Sequence, residues 1–366
     1  MDFTTTESRQ TVQALATELF TDHCTPERLR AVEDSGSAGF DRALWAKLAE
    51  AGLLGTVVPE EHGGLGLGLV ELAALLEEAG RAAAPVPLLG VLGIATTALV
   101  RHGSPAQQAA LLPGVAAGTT VLTAALTEPL GEELSPATAA RQDGDAWLLD
   151  GTKVCVPGGL YAQQLLVSAT TPDGPRLFLV DAASAGVTVE RQDTITYAPE
   201  AMVVLEDARA ELVGGAGAVA DAVQVGQAAV AAVLVGISEA ALRLTADYTK
   251  TREQFGHPIA HFQAVGQRAA DCFIDTTAMR LTTLQAVWLL SERREAAKEV
   301  AVAKFFASDG GQRVVRAAAH LHGGMGVSRE YPLHRYYLAA KQLELTLGGG
   351  TRQLVQLGQL LAAEPV

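Results

Sequence analysis

Arg252-Glu253-Gln254-Phe255-Gly256-His257-Pro258-Ile259, followed by Phe262-Gln263, interrupts a series of long stretches with helical periodicity. Residues 218 to 250 precede it; residues 260 to 295 and 297 to 321 follow, the last running into His320-Leu321-His322-Gly323-Gly324-Met325-Gly326. Gly256 and Pro258 punctuate the first break. Long helices on either side of short connections predict an antiparallel bundle at this end of the chain. The motif itself carries binding chemistry. Arg252 offers a delocalised cation that meets phosphate through a fork of donors, and glycines such as Gly323 and Gly324 let backbone approach a ligand closely.

From Thr5 to about Ala117 the pattern is also helical, with Phe40, Leu44 and Leu48 on one face and helix starts at Thr25-Pro26-Glu27 and Ser104-Pro105. Pro59-Glu60-Glu61-His62-Gly63-Gly64-Leu65-Gly66 reads as a glycine-rich turn, not a dinucleotide fingerprint, because no strand precedes it. Between about Thr119 and Leu212 the period shortens to strand-like runs: Val121 to Leu126, Ala146 to Val156, Gln164 to Thr170, Arg176 to Val180 and Ala201 to Leu205. Turns separate them at Asp143-Gly144-Asp145 and Pro172-Asp173-Gly174. The expected fold is therefore α+β and multidomain: a helical domain over 1–117, a β-barrel or sandwich over 118–213, and a four-helix-bundle domain over 214–366.

A chain of 366 residues exceeds what one hydrophobic core usually holds. A net charge of -14 argues against nucleic acid and anionic membranes as partners. The apolar run Ala228 to Ile237 is too short for a bilayer span and reads as core helix. The N-terminus Met1-Asp2-Phe3-Thr4-Thr5-Thr6-Glu7 lacks signal-peptide features, and Cys24, Cys155 and Cys272 show no paired spacing, so a reducing cytoplasm is expected. His257, His261, His322 and His334 lack acidic or cysteine partners at ligand spacing, so no metal site is expected. Ser238, Ser308 and Ser328 lack a nucleophile-elbow context.

The Arg252–Gln263 run, together with Tyr248, Gly323-Gly324, Glu330-Tyr331-Pro332 and Gly350-Thr351, resembles the C-terminal half of the acyl-CoA dehydrogenases. The helix, β, helix order is similar to their three-domain architecture over nearly the whole chain. The resemblance implies FAD lying between two subunits and drawing contacts from both. The half that reaches toward a neighbour's flavin has its matches here in Arg252, Phe255, Gln263, His320, Gly323 and Gly324, with His320 standing where a Gln is common.

The other half departs from the family pattern. Thr127-Glu128-Pro129 is intact, but Glu132 and Glu133 replace the expected glycine and serine, and two carboxylates beside a pyrophosphate repel it. Cys155 and Pro157 stand in the slots of a stacking Trp and a hydrogen-bonding Thr. The catalytic Glu expected before Gly350-Thr351 is Gly349; the alternative slot on the preceding helix is Gly226 or its neighbour Gln227, and none of these accepts an α-proton. No catalytic residue is therefore assigned to this chain.

The resemblance thus implies a subunit that completes the FAD site of a paralogous catalytic subunit in an α2β2 heteromer. That partner would hold most of the acyl-CoA site, with an electron-transfer flavoprotein or similar acceptor downstream. The pattern resembles the two-subunit actinobacterial enzymes that oxidise steroid side-chain thioesters, a likeness carried by residues 1–7 and by Leu347-Gly348-Gly349-Gly350-Thr351. Competing readings are a homomeric dehydrogenase using Glu344 as a displaced base, a flavin monooxygenase, and a flavin-free structural paralogue.

Overall fold

The structure is a computed structural model and describes residues 6–36, 39–144 and 146–363. Most of the opening heptapeptide and Asp145 of the first expected turn lie outside the described residues. The N-terminal part is helical: α1 (Glu7–His23), α2 (Pro26–Asp34), α3 (Arg42–Glu50), α4 (Leu69–Arg81), α5 (Thr97–His102) and α6 (Pro105–Ala116). Both start signals act as caps. The Thr25 hydroxyl accepts from Arg28 N, and Ser104 and Gln107 form a reciprocal capping box with Pro105 at the first helical position. Phe40, Leu44 and Leu48 are buried together as their spacing demands.

Strands β1 (Leu122–Ala125), β2 (Ala139–Asp143), β3 (Ala146–Val156), β4 (Gln164–Thr171), β5 (Gly174–Asp181), β6 (Val187–Gln192) and β7 (Glu200–Val213) follow. The sheet runs β1-β4-β2-β3-β7-β5, and β4 also pairs with β5, so it closes on itself as a small barrel around Leu149, Leu165, Phe178 and Val203. Strands β2 and β6 were not among the expected runs, although Val187-Thr188-Val189-Glu190 of β6 alternates apolar and polar residues. Their faces are largely polar and solvated, and the partner strands β3 and β7 impose their conformation. Strand β7 also runs well past the expected Ala201 to Leu205 segment.

The remainder is helical: α7 (Ala218–Thr251), α8 (Gln263–Ser291), α9 (Ala297–His322), α10 (Leu333–Leu345) and α11 (Gly350–Ala362). Helix α7 is long and apolar enough to cross a membrane, yet 78% of its apolar window is buried in the fold. It crosses α4 at backbone contact. A Cβ on Gly236 would sit 1.8 Å from the Glu77 carbonyl oxygen, and one on Gly80 would sit 2.2 Å from that of Val233. Around this crossing Glu77, Glu78 and Glu239 are paired with Arg81 and Arg280, tying α4, α7 and α8 through a half-buried charge network.

Candidate functional site

Helix α7 ends at Arg252, whose carbonyl oxygen accepts from Ile259 N at 2.8 Å across a short hairpin of Glu253–Gln254 and His257–Pro258. The two tip residues, Phe255 and Gly256, have φ of 55° and 87°. Two central residues at positive φ make the tight hairpin turn that suits glycine, and a phenylalanine held there is strained by about 1–2 kcal/mol. Phe255 is nonetheless 90% exposed. Its ring meets Phe262 edge-on, and Gln263 opens α8 beside it.

The end of α9 is joined to this place by stacked rings. Tyr248, one turn before Arg252, stacks on His322 at 4.3 Å, and His322 is bound by its Nδ1 to the Ala318 carbonyl oxygen and by its Nε2 to the Tyr331 hydroxyl. His320, Gly323 and Gly324 are exposed just beyond. Arg252, Phe255, Gln263, His320, Gly323 and Gly324 therefore gather at one end of the bundle, all facing solvent. Among the described residues the Arg252 guanidinium makes no hydrogen bond or ion pair.

The base slot on α7 is met by Leu347 of the 346–349 loop instead. A Cβ on Gly226 would lie 2.6 Å from Leu347 Cδ1, and the Gln227 amide donates to the Leu347 carbonyl oxygen at 3.0 Å. Leu347 is buried with φ of 55°, while a Cβ on Gly349 would meet the Glu344 carbonyl oxygen at 3.7 Å and Leu345 Cδ2 at 3.8 Å. Glu344 is paired with Lys341 on the same helix at 2.8 Å. Below this loop the fully buried Lys304 donates to the carbonyl oxygens of Leu343 and Glu344 at 3.2 and 3.0 Å, capping the end of α10; burial lowers its pKa to about 7.

In the β domain Glu132 and Glu133, in the turn after Pro129, have different surroundings. Glu132 is exposed, whereas Glu133 is buried and paired with Arg352 of α11 at 3.0 Å. A buried carboxylate requires a partner, and α11 provides it. Glu128 turns inward to Lys153 at 2.6 Å and accepts from Thr138 N and Oγ1 at 2.9 and 2.5 Å. Cys155 is held at φ 53° with its backbone N–H on Gln192. Its thiol is bonded to Glu200, and burial beside that carboxyl pushes the thiol up to about 11.

Glu200, which the sequence reading passed over, is buried at the start of β7 and accepts from the Gln342 amide at 2.8 Å; Gln342 in turn accepts from Thr196 Oγ1 at 2.8 Å. Burial raises its pKa to about 7, only partly offset by the hydrogen bonds from Gln342 and Cys155. The sole sequence signal was an acid opening an apolar strand. Because the folded pKa lies above the unfolded 4.5, the stabilising protonation is complete below about pH 4.5 and is lost as pH rises to about 7. Glu200→Gln should therefore melt higher than the parent at pH 8, by up to about 3 kcal/mol of stability, and the gap should close at pH 5. Thermal melts of both proteins at the two pH values check this; equal gaps at both would show that Glu200 is not buried as described.

Glu200 and Gln342 line a cavity of about 260 Å³ whose other walls come from α2, α4, the 83–90 segment, α7 and α10. With this geometry in place, the comparisons identify the class. Residues 6–119 match the acyl-CoA dehydrogenase N-terminal domain and residues 200–363 the acyl-CoA dehydrogenase C-terminal domain, so the chain belongs to the acyl-CoA dehydrogenase family. It is 40% identical to acyl-CoA dehydrogenase FadE27 of Mycobacterium tuberculosis over all of both chains. It superposes on a chain of the ChsE4-ChsE5 complex from Mycobacterium tuberculosis with a TM-score of 0.96, 40% identity and 100% coverage of both. A variant of the Tcur3481-Tcur3483 steroid ACAD matches with a TM-score of 0.94 and 46% identity, covering 97% of this chain and 98% of that one.

Proposed function

We propose that this chain is the non-catalytic subunit of a cytoplasmic, FAD-dependent acyl-CoA dehydrogenase of α2β2 composition, acting on a steroid side-chain thioester. The observation that carries the reading is that neither place where a base would stand holds a carboxylate: Gly349 has no side chain, and Leu347 takes the space beside Gly226 and Gln227. Bound FAD supplies the two-electron acceptor for α,β-dehydrogenation. Arg252, Phe255, Gln263, His320, Gly323 and Gly324 would hold it from this side, where they are exposed and free to reach a neighbour. Arg252 would bind phosphate, the glycines would admit backbone at close range, and Phe255 would exclude water.

This chain's own β half fits flavin poorly. Cys155 gives no stacking surface and is tied to Glu200, while Glu133 and Arg352 close the turn after Pro129. Exposed Phe273 and Ile274 on α8 and Leu354 and Val355 on α11 supply apolar area for subunit contacts. The two solved relatives, ChsE4-ChsE5 and Tcur3481-Tcur3483, are each named as a pair of components, which favours a paralogous partner, and the proton acceptor is assigned to it.

Co-expression with a neighbouring dehydrogenase-like subunit should give a complex of equal subunit numbers with flavin in half the potential sites, read from absorbance and native mass. A flavin-saturated homotetramer of this chain alone would defeat the proposal. Glu344→Gln should leave turnover of the complex within about twofold of the parent, because its carboxylate is committed to Lys341. A loss of turnover beyond about a hundredfold would return the base to this chain.

A further inference from the structure

We propose that His322 is a positioning residue for the cofactor: held between Ala318, Tyr331 and Tyr248, it sets where Arg252 at the end of α7 stands relative to Gly323-Gly324 beyond α9. This role rests on the flavin reading above, and the residue itself is inside: His322 is 3% exposed, whereas Arg252, Gly323 and Gly324 face solvent. Both ring nitrogens are committed. A carbonyl oxygen only accepts, so the Ala318 bond at 2.8 Å fixes the proton on Nδ1, and Nε2 is left to accept from the Tyr331 hydroxyl at 3.1 Å. Burial lowers the imidazole pKa and so favours this neutral form.

Each partner of the ring leads to a flavin-facing group or to a fixed point. Tyr248 stacks on His322 with 4.3 Å between ring centres and 23° between planes, and its carbonyl oxygen accepts from Arg252 N at 2.8 Å. The root of the hairpin therefore follows the ring. On the α9 side, a Cβ on Gly326 would lie 2.7 Å from the Ala319 carbonyl oxygen and 3.1 Å from His322 Cβ, so the 323–327 turn is folded flat against the residue that precedes it. Tyr331 is the fixed point. Its carbonyl oxygen accepts from His334 Nδ1 at 2.7 Å, and Arg335 is bound through Nε and Nη2 to the two oxygens of Glu33 on α2 at 2.5 and 3.1 Å. Losing the Tyr331–His322 bond thus frees the two flavin-facing ends from each other without removing any group assigned to the cofactor.

His322→Asn and His322→Gln separate positioning from simple capping of α9. An asparagine amide stands where Nδ1 stands and keeps the Ala318 bond, whereas a glutamine amide stands where Nε2 stands and keeps the Tyr331 bond. The full chain, with any subunit that co-purifies, is compared at neutral pH as parent, His322→Asn, His322→Gln, Tyr331→Phe and Arg252→Ala. FAD lost on dilution and the visible flavin spectrum are recorded, and hydrogen exchange of the Ile259 amide, which bonds the Arg252 carbonyl oxygen, is followed on flavin-free protein. Tyr331→Phe and His322→Asn should weaken FAD retention about two- to tenfold, the range of one neutral hydrogen bond, and speed Ile259 exchange, while His322→Gln stays within about twofold of the parent. Tyr331→Phe keeps its ring and serves where a His322 variant fails to fold. The proposal is overturned if His322→Asn retains flavin better than His322→Gln, which would make His322 a helix cap alone, or if Ile259 exchange is unchanged in Tyr331→Phe. It is overturned by itself if Arg252→Ala releases flavin and Tyr331→Phe does not; retention unchanged in both would sink the flavin reading together with it.

Discussion

Lys153→Met should cost about 3–5 kcal/mol of stability, enough to remove most soluble protein at 37 °C. Lys153 is completely buried in β3, and its ammonium meets Glu128 Oε1 at 2.6 Å and Ser168 Oγ at 3.1 Å. Burial pulls the lysine pKa down to about 8. Burial likewise opposes the Glu128 charge, but hydrogen bonds from Lys153 and Thr138 outweigh it and hold that carboxyl low. Methionine keeps the length of the side chain while stranding Glu128 in the interior, and an uncompensated buried charge is the costly outcome. Because Glu128 also binds Ala137 N and Thr138 N, the segment after Pro129 loses its anchor as well. The double variant Glu128→Gln, Lys153→Met should recover at least half of the loss, since it strands no charge. Denaturant unfolding of the β domain by circular dichroism is the measurement; a single variant within about 0.5 kcal/mol of the parent would show that the pair is solvated.

The same pair illustrates what the sequence could disclose. Thr127-Glu128-Pro129 and Gly151-Thr152-Lys153 were legible as motifs, but nothing linear says that Glu128 and Lys153 face each other inside a barrel. Long helices with caps at Thr25 and Ser104 announced themselves, because helical period and capping are local properties. Strands β2 and β6 did not, because their conformation is set by neighbours distant in sequence.

At the site, the hairpin glycine and the empty base slots could be read directly. The occupant of the slot at Gly226, Leu347, could not, since its contact with Gly226 exists only once the 346–349 loop folds back on α7. The arginine partner of Glu133, Arg352, was hidden for the same reason: it comes from the last helix. Glu200 was invisible because a lone acid at a strand start acquires its character from burial, which is a tertiary property.

Arg252→Ala should lower FAD retention by the heteromer by about 10- to 150-fold in affinity, the range expected when a charge-assisted hydrogen bond worth roughly 1.5–3 kcal/mol is removed. The folded chain itself should be indifferent. Arg252 is exposed at the end of α7, its guanidinium has no partner among the described residues, and its backbone bonds to Tyr248 and Ile259 do not involve the side chain. Unfolding of the variant should therefore match the parent within about 0.5 kcal/mol. This separation makes the measurement decisive: flavin lost on dilution, followed by fluorescence of released FAD, reports the cofactor contact alone. Arg252→Lys should recover only part of the affinity, because a lysine keeps the charge but not the planar fork. Phe255→Ala gives the complementary case. It removes an exposed ring but keeps the Cβ that strains the backbone at φ 55°, so the stability of this chain should change little while the complex holds flavin less well. Unchanged flavin retention in both Arg252→Ala and Phe255→Ala would remove the hairpin from the cofactor site, and with it the reason for exposing an aromatic ring and an unpaired cation at one end of the bundle.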